Sequence, residues 1–243
     1  MGRKSAKIAG KKGAADRQRS LLFTKALKEV AMSVKAGGPD ITSNFSLKVA
    51  LDRCRKVNVP KDAIDRAVKK GSGKDQADFK EVNYEGYGPE GIAIFVEAAT
   101  DNVTRTIANV RAYFNKKGGS LGKEGCLQFV FERKAVFTIK DEGQDVDDLT
   151  MELIDVGAED VEKVDGEIII QAEVEAFGDI YKKLEDMGIE AEESELERMP
   201  LNTKAASSKE IYETVATIVE LCEDDDDVLK VYHNMDFSEE FSS

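Results

Sequence analysis

The chain has 243 residues, 41% hydrophobic and 34% charged, enough for one large domain or two to three small ones with real cores in a soluble, globular protein. No apolar run approaches the roughly 20 residues of a membrane span, and the first residues lead into no hydrophobic signal core, which excludes membrane and secretory classes and predicts a cytoplasmic protein. A mitochondrial presequence stays open, because no acid precedes Asp16, although glycines at 2, 10 and 13 spoil an amphipathic helix there.

Charge is distributed unevenly. Residues 1–80 hold 20 Lys/Arg against 8 Asp/Glu, 81–134 hold 7 of each, and 135–243 hold 8 against 33. The net −13 therefore conceals a cationic head and an anionic rear, a polarity that orients an encounter with a polyanion.

In chain order, the first 13 residues carry five Lys/Arg, three Gly and one large aliphatic, Ile8, and read as a mobile arm. Helical spacing follows from about Ala14, with Leu22, Phe23, Ala26, Leu27, Val30 and Val34 on one face and Gly37-Gly38-Pro39 as the stop. Leu47, Ala50, Leu51, Cys54 and Val57 mark a second helix. Pro60 opens a third, which Gly71 ends. Beyond Gly71-Ser72-Gly73 the apolar run 92–96 predicts a buried strand, 102–117 a helix capped by Asp101 or Asn102, and alternating Leu127, Phe129 and Phe131 a second strand. Strand 135–139, helix 146–156, strands 160–164 and 167–170 about Asp165-Gly166, helix 177–187 and strand 189–193 then compose a ferredoxin-like βαββαβ unit. A strand at 195–199, a helix at 208–222 and a strand at 228–232 complete a second such unit, interrupted by the first between its second and third strands.

The expected fold class is α+β: an N-terminal three-helix domain followed by two ferredoxin-like βαββαβ domains, one inserted in the other. The expected boundaries are 1–80 for the basic arm and helical domain, 81–133 plus 194–243 for a discontinuous central domain, and 134–193 for an inserted acidic domain.

Several strings occur together in order: Met1-Gly2-Arg3-Lys4, Phe23-Thr24-Lys25, Asn58-Val59-Pro60-Lys61-Asp62-Ala63-Ile64, Tyr84-Glu85-Gly86-Tyr87-Gly88-Pro89, Thr100-Asp101-Asn102 with Arg105-Thr106, Gly118-Gly119-Ser120-Leu121-Gly122, Phe131-Glu132-Arg133-Lys134, and Glu223 to Val228 with Val231-Tyr232-His233-Asn234. On these the chain resembles the YebC/PmpR family over essentially its whole length. The resemblance implies three domains, a bacterial cytosol or a mitochondrial relative, no known catalytic activity, and two functional labels: a DNA-binding transcriptional regulator and a translation factor acting on the ribosome. The chain departs from the family pattern in having Ser5 where a Trp is usual, and it contains no Trp at all.

Arg3, Lys4, Lys7, Lys11 and Lys12, continued by Arg17 and Arg19, are the clearest polyanion contact. Each phosphate neutralised releases a counterion, so six contacts predict a log–log salt slope of about −5 on duplex DNA. Lys48, Arg55 and Lys56, with Lys61, Arg66, Lys69 and Lys70, extend this surface or are simply solvated helix faces. Arg105 and Arg111 on the central helix, and Lys116 and Lys117 beside the Gly118-Gly119 loop, are further candidates. Few Asn or Gln accompany them, so contacts to phosphate outnumber base-reading ones. The segment 84–91 (YEGYGPEG) is either a loop that packs on RNA or a partner, or a tight connection.

Other chemistries fail on inspection. Gly71-Ser72-Gly73-Lys74 lacks the first Gly and the Ser/Thr of a phosphate loop. The strand at 125–131 lacks the aromatic after Gly that stacks a base in RNA-recognition motifs. Cys54, Cys126 and Cys222 are far apart and His233 stands alone, which reads as reduced thiols and no zinc site. The acids 223–227 lack the spacing of a calcium loop and read as a solvated turn. The acidic domain is a repelling shield or a nucleic-acid mimic. The expected protein is not an enzyme and takes no cofactor and no metal. Its partners are nucleic acid, DNA or ribosomal RNA, with the ribosome as the alternative target; no membrane is involved, and the assembly is a monomer or weak dimer.

Overall fold

A computed structural model describes the backbone of residues 2–73 and 79–236, with side chains from Arg17 onward. The chain divides into two compact units, residues 1–127 with 203–243, and residues 128–202.

The first unit begins with three helices, α1 (Gly2–Gly37), α2 (Phe45–Lys56) and α3 (Lys61–Ser72). Their core is Ala26, Val30 and Val34 of α1 against Leu47, Ala50, Cys54, Val59 and Ala67. Asn44 fixes the α1–α2 corner. Its Oδ1 accepts from the Leu47 N–H at 3.0 Å, and its Nδ2 donates to the carbonyls of Ser33 and Gly38, each at 2.7 Å. Pro60 takes the cap position of α3 rather than its first helical position.

The stretch expected as a mobile arm is instead the start of α1, which is helical from Gly2. Alanine, lysine and arginine are strong helix formers, and elongation from a packed helix avoids the cost of nucleation, which offsets the glycines.

The helices are followed by an antiparallel sheet of β1 (Lys80–Tyr87), β2 (Ala93–Thr100), β3 (Ser120–Leu121) and β8 (Val228–His233), in the order β3-β1-β2-β8. Two helices accompany it, α4 (Val103–Lys116) and α7 (Lys209–Glu223), capped by the side chains of Asn102 and Ser208. Ile92, Ile94, Val96, Val110, Phe114, Val215 and Ile218 form its core. Residues 88–91 are the tight connection foreseen, but they join β1 to β2 rather than the helical to the central domain; the first half of segment 84–91 is the end of β1. Gly86 sits there because a Cβ would lie 2.6 Å from Phe114 Cε1 and 2.7 Å from the Ser120 carbonyl oxygen. Close approach, not turn geometry, requires that glycine.

The second unit runs β4 (Phe131–Lys140), α5 (Val146–Ile154), β5 (Ala158–Val164), β6 (Glu167–Glu173), α6 (Phe177–Asp186) and β7 (Ala191–Pro200), with sheet order β5-β6-β4-β7. This is the expected βαββαβ topology, antiparallel throughout. Asp165 (φ 50°) and Gly166 (φ 89°) both take the positive φ of a tight hairpin turn.

Two strand assignments change. Residues 124–130 are turns, not a strand, and the short β3 takes that place in the central sheet. The run at 195–199 belongs to β7 and pairs with β4 in the second unit, Phe131 opposite Pro200 and Ala135 opposite Leu196. The third-strand position of the central sheet is filled by β1, which precedes the rest of it in the chain. Alternation identifies a strand without identifying its sheet, so both assignments needed partners to decide them.

Candidate nucleic-acid interface

Arg3, Lys4, Lys7, Lys11 and Lys12 fall on the first turns of α1, and their side chains lie outside the described residues. Arg17 and Arg19 follow on the same helix and are exposed, the Arg19 guanidinium lying 5.3 Å from the centroid of the Phe23 ring. Lys61, Arg66, Lys69 and Lys70 are exposed on α3; Arg66 Nε donates to the Asp62 carbonyl at 3.1 Å, and Lys70 Nζ stands 5.1 Å from the centre of the Phe79 ring. On α2, Arg55 is tied to Asp52 at 2.6 Å.

The α4 cations behave differently from one another. Arg111 is exposed and lines a shallow pocket with Ile107, Asn115, Ser120 and two carboxylate residues, Glu85 and Glu124. Lys116 is exposed and Lys117 half-buried at the end of the helix. Arg105 is engaged within the protein. Its Nη2 donates to Asp227 Oδ2 at 2.6 Å and to Asp101 Oδ1 at 2.9 Å. Of the candidates with described side chains, Arg17 and Arg105 share one cleft, along α1, α4 and the acidic turn 224–227; Arg111 lines a separate one.

Sequence reasoning missed the residues that hold this cleft together. Lys25 and Lys28 of α1 are 7% and 9% exposed, and Asp225 and Asp227 are 9% and 5% exposed. Lys25 Nζ donates to the Glu223 carbonyl at 2.6 Å, placing a cation on an orphan carbonyl at the C-terminus of α7. Lys28 Nζ donates to the carbonyls of Asp226 (2.6 Å) and Ala99 (3.2 Å) and to Asp227 Oδ1 (2.9 Å). Asp227 Oδ2 also accepts from the hydroxyls of Thr100 and Thr106, at 3.1 and 3.0 Å. Asp225 Oδ2 accepts from Asn109 Nδ2 and the Tyr113 hydroxyl, at 3.1 and 2.9 Å.

The acids at 225 and 227 are therefore not the solvated turn expected of them. Burial alone would raise the Asp227 carboxyl, but the bonds from Arg105 and Lys28 outweigh it and hold the group at about 2. Burial lowers the Lys25 ammonium, opposed by the charge of Glu223. The signal in the sequence is faint: two lysines one turn apart beside the apolar positions of α1, and an acidic run far away to receive them.

The buried carboxylate of Glu85 was also missed. It accepts from the backbone N–H groups of Gly125 (2.8 Å) and Leu127 (2.6 Å) and so holds the loop after β3. Among the described residues no cluster of three His, Cys, Asp or Glu is arranged to hold a metal ion, and no helix is long and apolar enough to cross a membrane.

Comparison with known proteins agrees with the ordered strings. Residues 3–74 match the sequence model of the TACO1/YebC protein N-terminal domain, and residues 79–235 that of the TACO1/YebC second and third domain. The chain is 47% identical over 215 residues to a probable transcriptional regulatory protein of Porphyromonas gingivalis, covering 88% of each. It is 41% identical over 234 residues to one of Clostridium botulinum, covering 96% of this chain and 95% of the other. A crystal structure of a conserved hypothetical protein, Aq1575, from Aquifex aeolicus superposes with a TM-score of 0.84 at 35% identity over 93% of both chains.

Proposed function

The chain belongs to the TACO1/YebC family, and from that premise we propose that it is a non-enzymatic, cytosolic regulator of gene expression whose basic helical head grips the phosphates of a nucleic acid. The observation that carries this reading is a division of labour among the cations. Arg17, Arg19, Lys61, Arg66, Lys69 and Lys70 are exposed to solvent, whereas Lys25 and Lys28 turn inward to carbonyls and a carboxylate. Exposed Lys and Arg supply salt-dependent affinity. The acidic residues of the second unit repel the same polyanion.

The names of the relatives favour DNA as the target, and an α-helix such as α1 fits the major groove of B-DNA, which is about 12 Å wide. A second reading, RNA on the ribosome, is favoured by residue type. Gln18 and Asn58 are the exposed amides among residues 17–73, so the head offers little to read bases and much to hold phosphates.

Sucrose-gradient sedimentation of cell extract, with and without RNase, separates the two. RNase-sensitive co-migration with ribosomal particles supports the RNA reading; footprinting of a particular promoter over competitor DNA supports the first. Replacing Arg3, Lys4, Lys7, Lys11, Lys12, Arg17 and Arg19 by Gln is expected to weaken binding and flatten its salt dependence. Full affinity of that variant at every ionic strength would overturn the proposal.

A further inference from the structure

Asp227 joins three elements through one carboxylate. Oδ1 receives Lys28 of α1, while Oδ2 receives Arg105 and Thr106 of α4 and Thr100 at the end of β2. The backbone of the same turn contributes as well, because the Asp227 carbonyl accepts from the Ala99 N–H at 2.8 Å and the Asp226 carbonyl from Lys28. The two apolar cores on either side share no residue: one is drawn from α1, α2, α3 and Val59, the other from the central sheet, α4, α7 and adjoining segments. Apolar contacts are non-directional and let helices slide, whereas short charge-assisted bonds to a buried group fix a direction.

Direction matters because α1 is a long lever. A helix rises 1.5 Å per residue, so Arg17 lies roughly 16 Å and Lys4 roughly 36 Å along the axis from Lys28. A tilt of about 10° at Lys28 would carry those two positions by about 3 and 6 Å, against the roughly 4 Å within which an ion pair forms. An undirected helix would thus meet its phosphates in only a fraction of its orientations, and affinity falls by that fraction.

We infer that Asp227 is a positioning residue for the nucleic-acid contact: through Lys28 it sets the direction of α1, so that the cations on that helix meet their phosphates together. This rests on the phosphate-gripping function proposed above. Lys28 acts here inside the protein, and Arg105, whose side chain is 48% exposed, acts through its bonds to Asp227.

The test compares wild type with Lys28→Met, which keeps the length of the stem, and with Asp227→Asn, which keeps the shape of the acceptor. Each is titrated with a fluorescein-labelled DNA duplex and with an RNA hairpin over a range of salt, after circular dichroism establishes that it is folded. Loss of orientation predicts an affinity about ten-fold lower at every salt concentration, with the slope of log K against log[salt] unchanged, because the same phosphates are still neutralised. Unchanged affinity overturns the inference. So does a slope shallower by about one in Lys28→Met, which would make Lys28 itself a phosphate contact. If one variant unfolds, the other gives the same reading. Salt-dependent binding by wild type with no effect of either substitution removes only the role of Asp227. Absence of salt-dependent binding by wild type to both probes removes the phosphate-gripping function and the inference with it.

Discussion

Replacing Glu85 tests whether one buried carboxylate organises the loop after β3. The side chain belongs to a residue 8% exposed, and its two oxygens accept separately from the N–H groups of Gly125 at 2.8 Å and Leu127 at 2.6 Å. Leu127 is 1% exposed, so little water reaches its amide. A hydrogen bond to a charged group contributes about 1.5–3 kcal/mol, and a buried donor left without an acceptor costs about 1–3 kcal/mol. Glu85→Ala removes both bonds, but water can re-solvate the half-buried Gly125, for a net loss of about 3 kcal/mol. Glu85→Gln retains one oxygen and turns an NH₂ group toward the second N–H. One bond is lost and two donors face each other, so the near-isosteric change is expected to cost about 2–3 kcal/mol, close to alanine. Urea unfolding followed by tyrosine fluorescence, which no tryptophan obscures in this chain, measures the difference in the first unit. Hydrogen exchange at the Leu127 amide reports the loop itself. A Gln variant within about 0.5 kcal/mol of wild type, the range of ordinary surface substitutions, would refute the two-bond account.

Other expectations follow from the same geometry. Asp227 is held at about 2 against an ordinary 3.8; a depressed carboxyl stabilises fully above its unfolded value, so its contribution of about 2 kcal/mol is present at neutral pH and is lost as pH falls from about 4 through 2. The stability gap between wild type and Asp227→Asn, measured by urea titration, should therefore narrow over that window, and a gap that stays constant would contradict the charge argument. Gly86→Ala drives a methyl to 2.6 Å from Phe114 Cε1 and 2.7 Å from the Ser120 carbonyl oxygen, which should destabilise by about 1–3 kcal/mol and lower the melting temperature seen by circular dichroism; no change would mean that β1 and α4 have room to part. Cys54 and Cys222 are buried, and burial pushes their thiols up to about 11 and about 12, whereas Cys126 is half-buried. A maleimide on native protein should add once, at Cys126, and three times in urea, as counted by mass spectrometry; two or more additions to native protein would show that a buried site opens.

What the sequence determined by itself was whatever local periodicity encodes. The apolar face Leu22 to Val34, a cap at Asp101 or Asn102, which the structure assigns to Asn102, and the Asp165-Gly166 turn each act over a few residues, so helices, hairpin and the α+β class were legible from spacing alone. The candidate cations were legible only as residue types; nothing in the spacing of Arg17 and Arg105 says that the second is bound to Asp227. The tertiary structure decided everything that depends on partners remote in sequence. Strand run 195–199 alternates equally well in either sheet until Phe131 to Ala135 lies beside it. Gly86 reads as a turn until Phe114 crosses above it. Lys28 and Asp227 are 199 positions apart, and the attraction that buries them exists only once the fold brings α1 to the acidic turn, because Coulomb energy depends on distance in space and on the water excluded between charges, neither of which composition contains.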